Sequence, residues 1–190
     1  MVAEITSLGD KEVVKLALKE RALFGHIVER YQSKLSRYVT RLGVRDPDDR
    51  DDVLQEVFIK VYRNLNDYDD SYSFSAWIYR IAHNEAISWY RKKKVRPEGN
   101  LVADSEEVLA FLNNDEEDAS VRLDQKINAE YLQRAMAELD PKYRDILILR
   151  YFEHLEYEEI SDVLKLPLGT VGTFIHRAKK QLRELLKKYE

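Results

Sequence analysis

The 190-residue sequence contains no cysteine, only four prolines and six glycines, and no long apolar run. Without cysteine the chain forms neither disulfides nor thiolate metal sites, which suits a reducing cytosol. No apolar stretch approaches the roughly 20 residues that cross a bilayer, and the first residues lack the basic-then-apolar order of a signal peptide. We therefore expect a cytoplasmic protein with no membrane insertion of its own.

Charge is abundant, at 35% of the residues, but the formal net charge is only -4. This balance argues against a protein that coats nucleic acid by bulk charge, so any DNA binding must come from local basic patches. The charge content and the few glycines predict an all-α fold. The sequence shows no nucleophile–base constellation, metal-ligand cluster or glycine-rich phosphate loop, and its four histidines are scattered. We therefore predict a protein that is not an enzyme and has no cofactor or metal.

Residues 157–186 predict a helix-turn-helix. A first amphipathic segment stops at Leu166, because Pro167 disfavours helical geometry there and is tolerated where a new helix starts. The second helix begins at Leu168 and turns an apolar face inward. Its other face carries Thr173, His176, Arg177 and Lys180. A DNA major groove accepts such a face, although a basic helix back can also serve solubility alone.

The N-terminal half predicts four helices. Asp10 can cap the first, the second runs from Phe24 to Leu42 and ends at Gly43, and the third starts in the acidic run 46–49 and continues to about Leu65. Helical periodicity predicts that the third helix buries Val53, Leu54, Val57, Val61 and Leu65. The opposite side then exposes Asp52, Gln55, Glu56 and Ile59, which is either a docking face or a solvated surface with one stray apolar residue.

A polar loop at 66–73, which contains Tyr68, Ser71 and Tyr72, leads into the fourth helix, from Phe74 to about Lys93. Its predicted inner face is Phe74, Trp77, Ile78, Ile81 and Trp89. The predicted outer face carries Arg80, His83, Asn84, Ile87 and Arg91 and continues into a basic run with Lys92. Cations, an amide and nearby tyrosines fit single-stranded nucleic acid, but a charge run can also be a solvated helix end.

Residues 97–125 are strongly acidic and weakly periodic, so we predict a flexible acidic linker there. The sequence thus predicts two small helical domains, residues 1–96 and 126–190, and the second contains the helix-turn-helix.

Three segments in this order resemble the extracytoplasmic-function branch of bacterial sigma factors. They are DDVLQEVFIKVY from Asp51, FSAWIYRIAHNEAISWYRKKK from Phe74, and the stretch from Leu139 to Leu182. The resemblance covers nearly all of residues 24–186 outside the linker. It implies a transcription initiation factor that binds core RNA polymerase, directs it to the -10 and -35 promoter elements and nucleates melting.

The resemblance also implies roles for particular residues. Binding to the clamp helices of the largest polymerase subunit falls to Asp52, Gln55, Glu56, Phe58 and Ile59. Capture of the single-stranded -10 element falls to Tyr68, Ser71, Tyr72, Arg80, His83, Asn84, Arg91 and Lys92. Binding of the -35 duplex falls to Arg150, Thr170, Thr173, His176, Arg177 and Lys180. Further implied partners are the polymerase flap and an anti-sigma factor.

The second helix of the helix-turn-helix, which is the recognition helix, departs from the family pattern at Gly172 and Phe174, where relatives commonly carry cations. We hypothesise that the protein depends instead on His176, Arg177, Lys179, Lys180 and the -10 contacts. Two other functions fit parts of the sequence. One is a free-standing helix-turn-helix regulator that binds duplex DNA as a dimer, and the other is a helical protein-interaction module such as an anti-regulator.

Overall fold

The structure, a computed structural model, describes residues 7–93 and 129–188, with the side chains of 129 and 130 left out. These residues form eight α-helices and no strand, which confirms the predicted all-α fold. The helices are α1 Asp10–Lys19, α2 Gly25–Leu42, α3 Pro47–Arg63, α4 Phe74–Lys93, α5 Ala129–Glu138, α6 Pro141–Leu147, α7 Tyr157–Leu164 and α8 Leu168–Leu186. Short 3-10 turns occur at Arg21–Phe24 and Leu65–Asp67, and a π-helical turn at Ile148–Phe152.

The helices fall into two compact units, as predicted. The N-terminal unit contains α1, most of α2, α3 and α4, and the C-terminal unit contains α5 to α8. The predicted linker, 97–125, lies outside the described residues, and the predicted domain limits at residues 96 and 126 stay predictions. None of the described helices is both long and apolar enough to cross a membrane.

Helix α3 forms where its sequence predicts. The carboxylate of Asp46 accepts hydrogen bonds from the backbone N–H groups of Asp48 and Asp49 at 3.0 and 3.1 Å, and Pro47 occupies the first helical turn. All five predicted stripe residues are buried, namely Val53, Leu54, Val57, Val61 and Leu65. The opposite face of α3 is thereby directed away from the core.

The prediction that Asp10 caps α1 is wrong. Gly9 occupies the cap position, and Asp10 is the first helical residue. Its carboxylate instead accepts hydrogen bonds from the Arg30 guanidinium at 2.7 Å and the Tyr31 hydroxyl at 2.5 Å. Burial and the neighbouring carboxylate raise the pKa of Tyr31. Asp10 therefore fastens α1 to α2 through side chains that sequence periodicity does not pair.

The inner face of α4 is wider than predicted. Phe74, Trp77 and Ile78 are buried as expected, whereas Ile81 and Trp89 are only half-buried. The remaining buried positions are Ala76, Tyr79, Ala82, Ala86 and Tyr90. The reason is that α4 packs against α3 and also against α2, where the Tyr38 and Tyr79 rings meet edge to face at 5.1 Å. A helix with two neighbours buries more than one stripe.

In the C-terminal unit α8 packs against α5, α6 and α7. The predicted inner residues of α8 are all buried: Val171, Ile175, Ala178, Leu182 and Leu185. The break between α7 and α8 lies where Pro167 predicts it. Lys165 there adopts a left-handed conformation, with φ 54° and ψ 42°, and the Leu166 N–H donates to the Ser161 carbonyl at 3.1 Å. This turn sets the start of α8 at Leu168.

Candidate protein and nucleic-acid interfaces

The outward face of α3 combines polar groups with an apolar groove. Asp52, Gln55 and Glu56 are exposed, as predicted. The prediction of an exposed Ile59 is wrong, because Ile59 and Phe58 are both half-buried. They line a groove of about 590 Å³ whose other walls are Phe24, Gln55, Tyr62 and Arg63.

Tyr62 is an exposed aromatic wall of this groove, with 41% of its surface accessible. Its ring meets Phe24 edge to face at 5.1 Å, and the Arg21 guanidinium lies 4.9 Å from the ring centre. Arg21 also donates to the Tyr62 carbonyl at 3.0 Å. Sequence reasoning missed Tyr62, although it follows Phe58 by four residues and so falls on the same side of the helix.

A second cavity, of about 550 Å³, lies between α3 and α4. Its rim carries the ion pair of Lys93 with Asp49 at 2.8 Å, and the hydrogen bond to Lys93 lowers the pKa of Asp49. The cavity is lined by Asp49, Asp52, Val53, Gln55, Glu56, Glu85, Ser88, Trp89, Lys92 and Lys93. Lys92, which was predicted with the -10 residues, thus lies beside the polar residues of α3.

The loop before α4 presents one free aromatic ring. Tyr68 is half-buried, with its ring 5.1 Å from Phe74, and its hydroxyl donates to the Tyr72 carbonyl at 2.7 Å. The Ser71 N–H donates to the Asp69 carboxylate at 2.9 Å, which lowers the pKa of Asp69. Tyr72 itself is 63% exposed. Of the three -10 residues predicted in this loop, Ser71 and Tyr72 are exposed, and Tyr68 is half-buried against Phe74.

Three of the predicted α4 residues share one face. Arg80, Asn84 and Arg91 are four and seven residues apart, a spacing that keeps them on one side of a helix. Asn84 and Arg91 are exposed and Arg80 is half-buried.

The prediction that His83 belongs to the outer face of α4 is wrong. Its Nδ1 lies 3.0 Å from the Tyr38 hydroxyl of α2, and burial lowers its pKa to about 4. His83 is therefore neutral at pH 7 and contributes no charge toward a nucleic acid. Tyr38 was detectable in the sequence, since it follows Tyr31 and Leu35 on the apolar face of α2.

The outward face of α8 is as predicted: Thr173, His176, Arg177 and Lys180 are all exposed. Thr170, in the first turn, is half-buried. Lys179, which the sequence hypothesis grouped with the DNA-contacting cations, does not lie on this face. Lys179 is only 9% exposed, because it lies on the same side of α8 as the buried Ile175 and Leu182, four residues before it and three after it. Its ammonium lies 6.0 Å from the Tyr151 ring centre.

Arg150 is half-buried and fixed by its neighbours. Its guanidinium donates to the Leu155 carbonyl at 2.8 Å and to the Glu156 carboxylate at 2.9 Å, and it lies 5.3 Å from the Tyr157 ring centre. A Cβ at Gly172 would lie 3.6 Å from the Tyr157 ring. Tyr157 and Arg150 therefore lie along one edge of α8.

Phe174 does not extend the outward face of α8. It is half-buried and meets the Tyr143 ring edge to face, with centroids 5.5 Å apart. The sequence interpretation of Phe174 as a missing DNA contact is thus incomplete, since the ring packs on α6.

Comparison with known proteins finds two families on this chain. Sigma-70 region 2 matches residues 27–96 and Sigma-70, region 4 matches residues 129–182. The chain is 32% identical over 182 residues to the ECF RNA polymerase sigma factor SigW of Bacillus subtilis, which covers 93% of this chain and 96% of the relative. The chain belongs to the ECF sigma factors of RNA polymerase.

Further relatives agree with this assignment. The ECF RNA polymerase sigma-E factor of Escherichia coli K12 is 31% identical to this sigma factor over 180 residues, or 92% of the chain and 93% of the relative. The solved structure of CnrH in complex with the cytosolic domain of CnrY is 25% identical, with a TM-score of 0.68 and coverage of 95% of this chain and 99% of CnrH. RpoE from Bartonella quintana, solved with the anti-sigma factor NepR, has the same fold, with a TM-score of 0.62 at 20% identity and coverage of 86% and 96%.

This sigma factor is therefore a transcription initiation factor that directs RNA polymerase to promoters. The two families assign region 2 to the N-terminal unit and region 4 to the C-terminal unit. A free-standing regulator and a simple interaction module, the two other functions that fitted parts of the sequence, do not account for matches to both regions. Helix α1 precedes the matched part of region 2 but packs against α4 within the same unit.

Proposed function

We propose that this sigma factor uses three surfaces, one to bind core polymerase and two to recognise the promoter. The polymerase face is Asp52, Gln55, Glu56, Phe58 and Ile59 on α3; the strand face is Ser71, Tyr72, Arg80, Asn84 and Arg91; the duplex face is Thr170, Thr173, His176, Arg177 and Lys180. The observation that carries the proposal is the polymerase face, where exposed acids and an amide border an apolar groove. We expect the protein to act in the cytoplasm and to catalyse no reaction itself.

The polymerase face suits a basic and apolar helical partner. Carboxylates at Asp52 and Glu56 favour cations on the partner, and the groove beside Ile59 offers an anchor site for one apolar side chain. From the family resemblance we expect that partner to be the clamp helices of the largest polymerase subunit. On the same ground we expect the C-terminal unit to contact the flap.

The strand face suits an unpaired strand. The exposed Tyr72 ring offers a base a stacking surface, and the Asn84 amide can hydrogen-bond to a base edge. Phosphate support must come from Arg80 and Arg91, because the loop beside Tyr72 is itself acidic. Asn84 lies about 15 Å along α4 from the loop, at 1.5 Å per residue, so a bound strand would extend along the helix.

The duplex face suits the major groove at -35. Thr173, His176 and Arg177 present hydrogen-bonding groups within one turn of α8, and Lys180 adds a cation one turn later. We expect Arg150, which is held at the edge of α8, to contact a phosphate rather than a base. Under this assignment, only Thr173, His176 and Arg177 contact the bases and determine which -35 sequence is bound.

A second protein partner is proposed for the polymerase face. CnrH, a relative of the same fold, was solved with the cytosolic domain of CnrY bound. We expect an anti-sigma factor to cover the groove beside Ile59 and thereby to exclude the polymerase. Such a partner would compete with purified core polymerase for this protein in a binding assay.

The proposal is tested by binding the full-length protein to purified core polymerase. Gln55→Ala and Ile59→Glu should weaken binding, because one removes a polar contact and the other puts a charge in the groove. Asp51→Ala is the matched control, since Asp51 is an exposed acid at a neighbouring position on the same helix. Wild-type affinity of both Gln55→Ala and Ile59→Glu would refute the assignment of the polymerase face.

A further inference from the structure

The duplex face of α8 has a defined edge at Phe174. At about 100° per residue, Phe174 lies about 60° around the helix from Arg177, between the exposed and the buried side. Its ring rests on Tyr143, the third residue of α6, at 5.5 Å and an interplanar angle of 82°. The aromatic pair therefore joins the edge of the duplex face to the first turn of α6.

This aromatic pair supports a lysine. The ammonium of Lys142 lies 4.9 Å from the Tyr143 ring centre and 5.9 Å from that of Phe174. A cation over two rings is attracted by both, which restricts an otherwise mobile side chain. The other neighbour is the Asp140 carboxylate, 3.3 Å away, but the Lys142 side chain remains 52% exposed. An exposed ion pair of this kind is weak and can be exchanged for a stronger anion.

The opposite edge of α8 has a similar arrangement. Gly172 lies about 100° from Thr173 in the other direction, and it faces Tyr157, over which the Arg150 guanidinium lies at 5.3 Å. The duplex face is thus bordered on each side by a cation held against an aromatic ring. A helix in the major groove has a phosphate backbone on each side, and contacts to both backbones fix its register.

We propose that Lys142 of α6 binds a DNA phosphate beside the duplex face, at the edge of α8 opposite Arg150. Phe174 and Tyr143 act as positioning residues that hold its ammonium beside the groove. The inference rests on the proposed binding of duplex DNA by α8. It assigns to α6 a DNA contact that the recognition helix alone does not provide.

The test measures binding of the full-length protein to mixed-sequence 30-base-pair duplexes by fluorescence anisotropy over a range of salt concentrations. Lys142→Gln should weaken binding to every duplex alike and reduce the slope of log K against log salt by about 1. Lys142→Arg should restore the slope. Phe174→Leu keeps the cation but removes one ring, and it should produce part of the loss. Lys187→Gln, which removes an exposed lysine at the end of α8, controls for net charge.

The outcomes separate this inference from the proposed function. Wild-type affinity and slope for Lys142→Gln, with weakened binding by Arg177→Ala, would overturn the inference and leave the duplex face intact. If Arg177→Ala binds as wild type while Lys142→Gln loses affinity, the duplex face is misassigned and the Lys142 contact stands. If neither changes binding, both are wrong. Far-UV circular dichroism of each variant confirms that the helices are retained.

Discussion

At the scale of single residues, Lys165 is under backbone strain. Its left-handed conformation favours glycine, which lacks the Cβ that crowds the backbone there. Lys165→Gly should raise the free energy of unfolding by about 0.5 kcal/mol, since the relief of strain exceeds the loss of the exposed ion pair with Asp162. Urea unfolding measures the change, and a lower midpoint would contradict it.

Gly172 offers a second stabilising substitution. It lies inside α8, where glycine costs about 0.8–1.0 kcal/mol relative to alanine. A Cβ at this position meets the Tyr157 ring at 3.6 Å, an ordinary contact. Gly172→Ala should therefore raise the free energy of unfolding by about 0.5–1 kcal/mol. Gly169→Ala, near the start of α8, is the control and should gain less; a loss of stability at Gly172 would show that the Tyr157 contact is tighter than described.

Residues on the middle of a helix face could be predicted from the sequence, and residues at its border could not. Thr173, Arg177 and Lys180 follow from the 3.6-residue period alone. Lys179 and His83 were misassigned because each lies at a border, where Tyr151 in one case and Tyr38 in the other decides whether the side chain is covered. Such partners come from distant parts of the chain, and periodicity carries no information about them.

At the scale of helices, the contact between α2 and α4 should become less stable at acidic pH. His83 has a pKa of about 4 in the fold against about 6.5 when unfolded, so the unfolded state binds more protons between these values. The part of the stability of the N-terminal unit that depends on neutral His83 is therefore fully present above about pH 6.5 and is lost as the pH falls toward 4. Tryptophan fluorescence reports this unit alone, because both tryptophans, Trp77 and Trp89, lie in α4. His83→Gln should flatten the pH dependence, and an unchanged profile would contradict the assignment.

The stability of the C-terminal unit should change with pH in the opposite direction, because of Asp145 in α6. Burial raises the pKa of Asp145 to about 7, although the neighbouring Arg144 opposes the shift. The folded state then holds a proton that the unfolded state releases near pH 4, so this contribution is fully present below about pH 4 and is lost as the pH rises through 7. Asp145→Asn should remove the dependence and stabilise the C-terminal unit at pH 8. The measurement is the circular dichroism transition that occurs without a change in tryptophan fluorescence, and unchanged stability of Asp145→Asn at pH 8 would contradict it.

Helix boundaries could be predicted where the sequence contains residues that cap or end a helix. Gly43, with φ 116°, ends α2, Asp46 caps α3, and Pro167 separates α7 from α8. The π-helical turn at Ile148–Phe152 and the capping box of Glu156 with Glu159 were not predicted. A helix that changes its hydrogen-bond register has no distinct hydrophobic period, so the pattern gives no signal for it.

At the scale of the whole molecule, the proposal places the polymerase face in the N-terminal unit and the duplex face in the C-terminal unit, so substitutions in the two faces should have different effects. Ile59→Glu should lose transcription from every promoter, because the polymerase is no longer recruited. Arg177→Ala should retain core binding but lose transcription mainly at promoters that depend on the -35 element. Run-off assays with purified core polymerase distinguish the two patterns. Equal losses at all promoters for both variants would contradict a division of labour.

The overall architecture could be predicted from the sequence more fully than the individual contacts. Two helical domains and the family follow from three segments in a fixed order, which are too long to recur together by chance. The groove between Phe24 and Tyr62 was not predictable, since it depends on how the 3-10 turn before α2 packs beside α3.

The central claim is that this protein directs polymerase to promoters through the strand and duplex faces. The most direct measurement is to sequence the 5′ ends of transcripts made on total genomic DNA by core polymerase reconstituted with the protein. We predict start sites absent with core alone and preceded by a shared pair of motifs near -10 and -35, with the -35 motif lost from the Arg177→Ala set. Start sites no different from those of core alone would contradict the account.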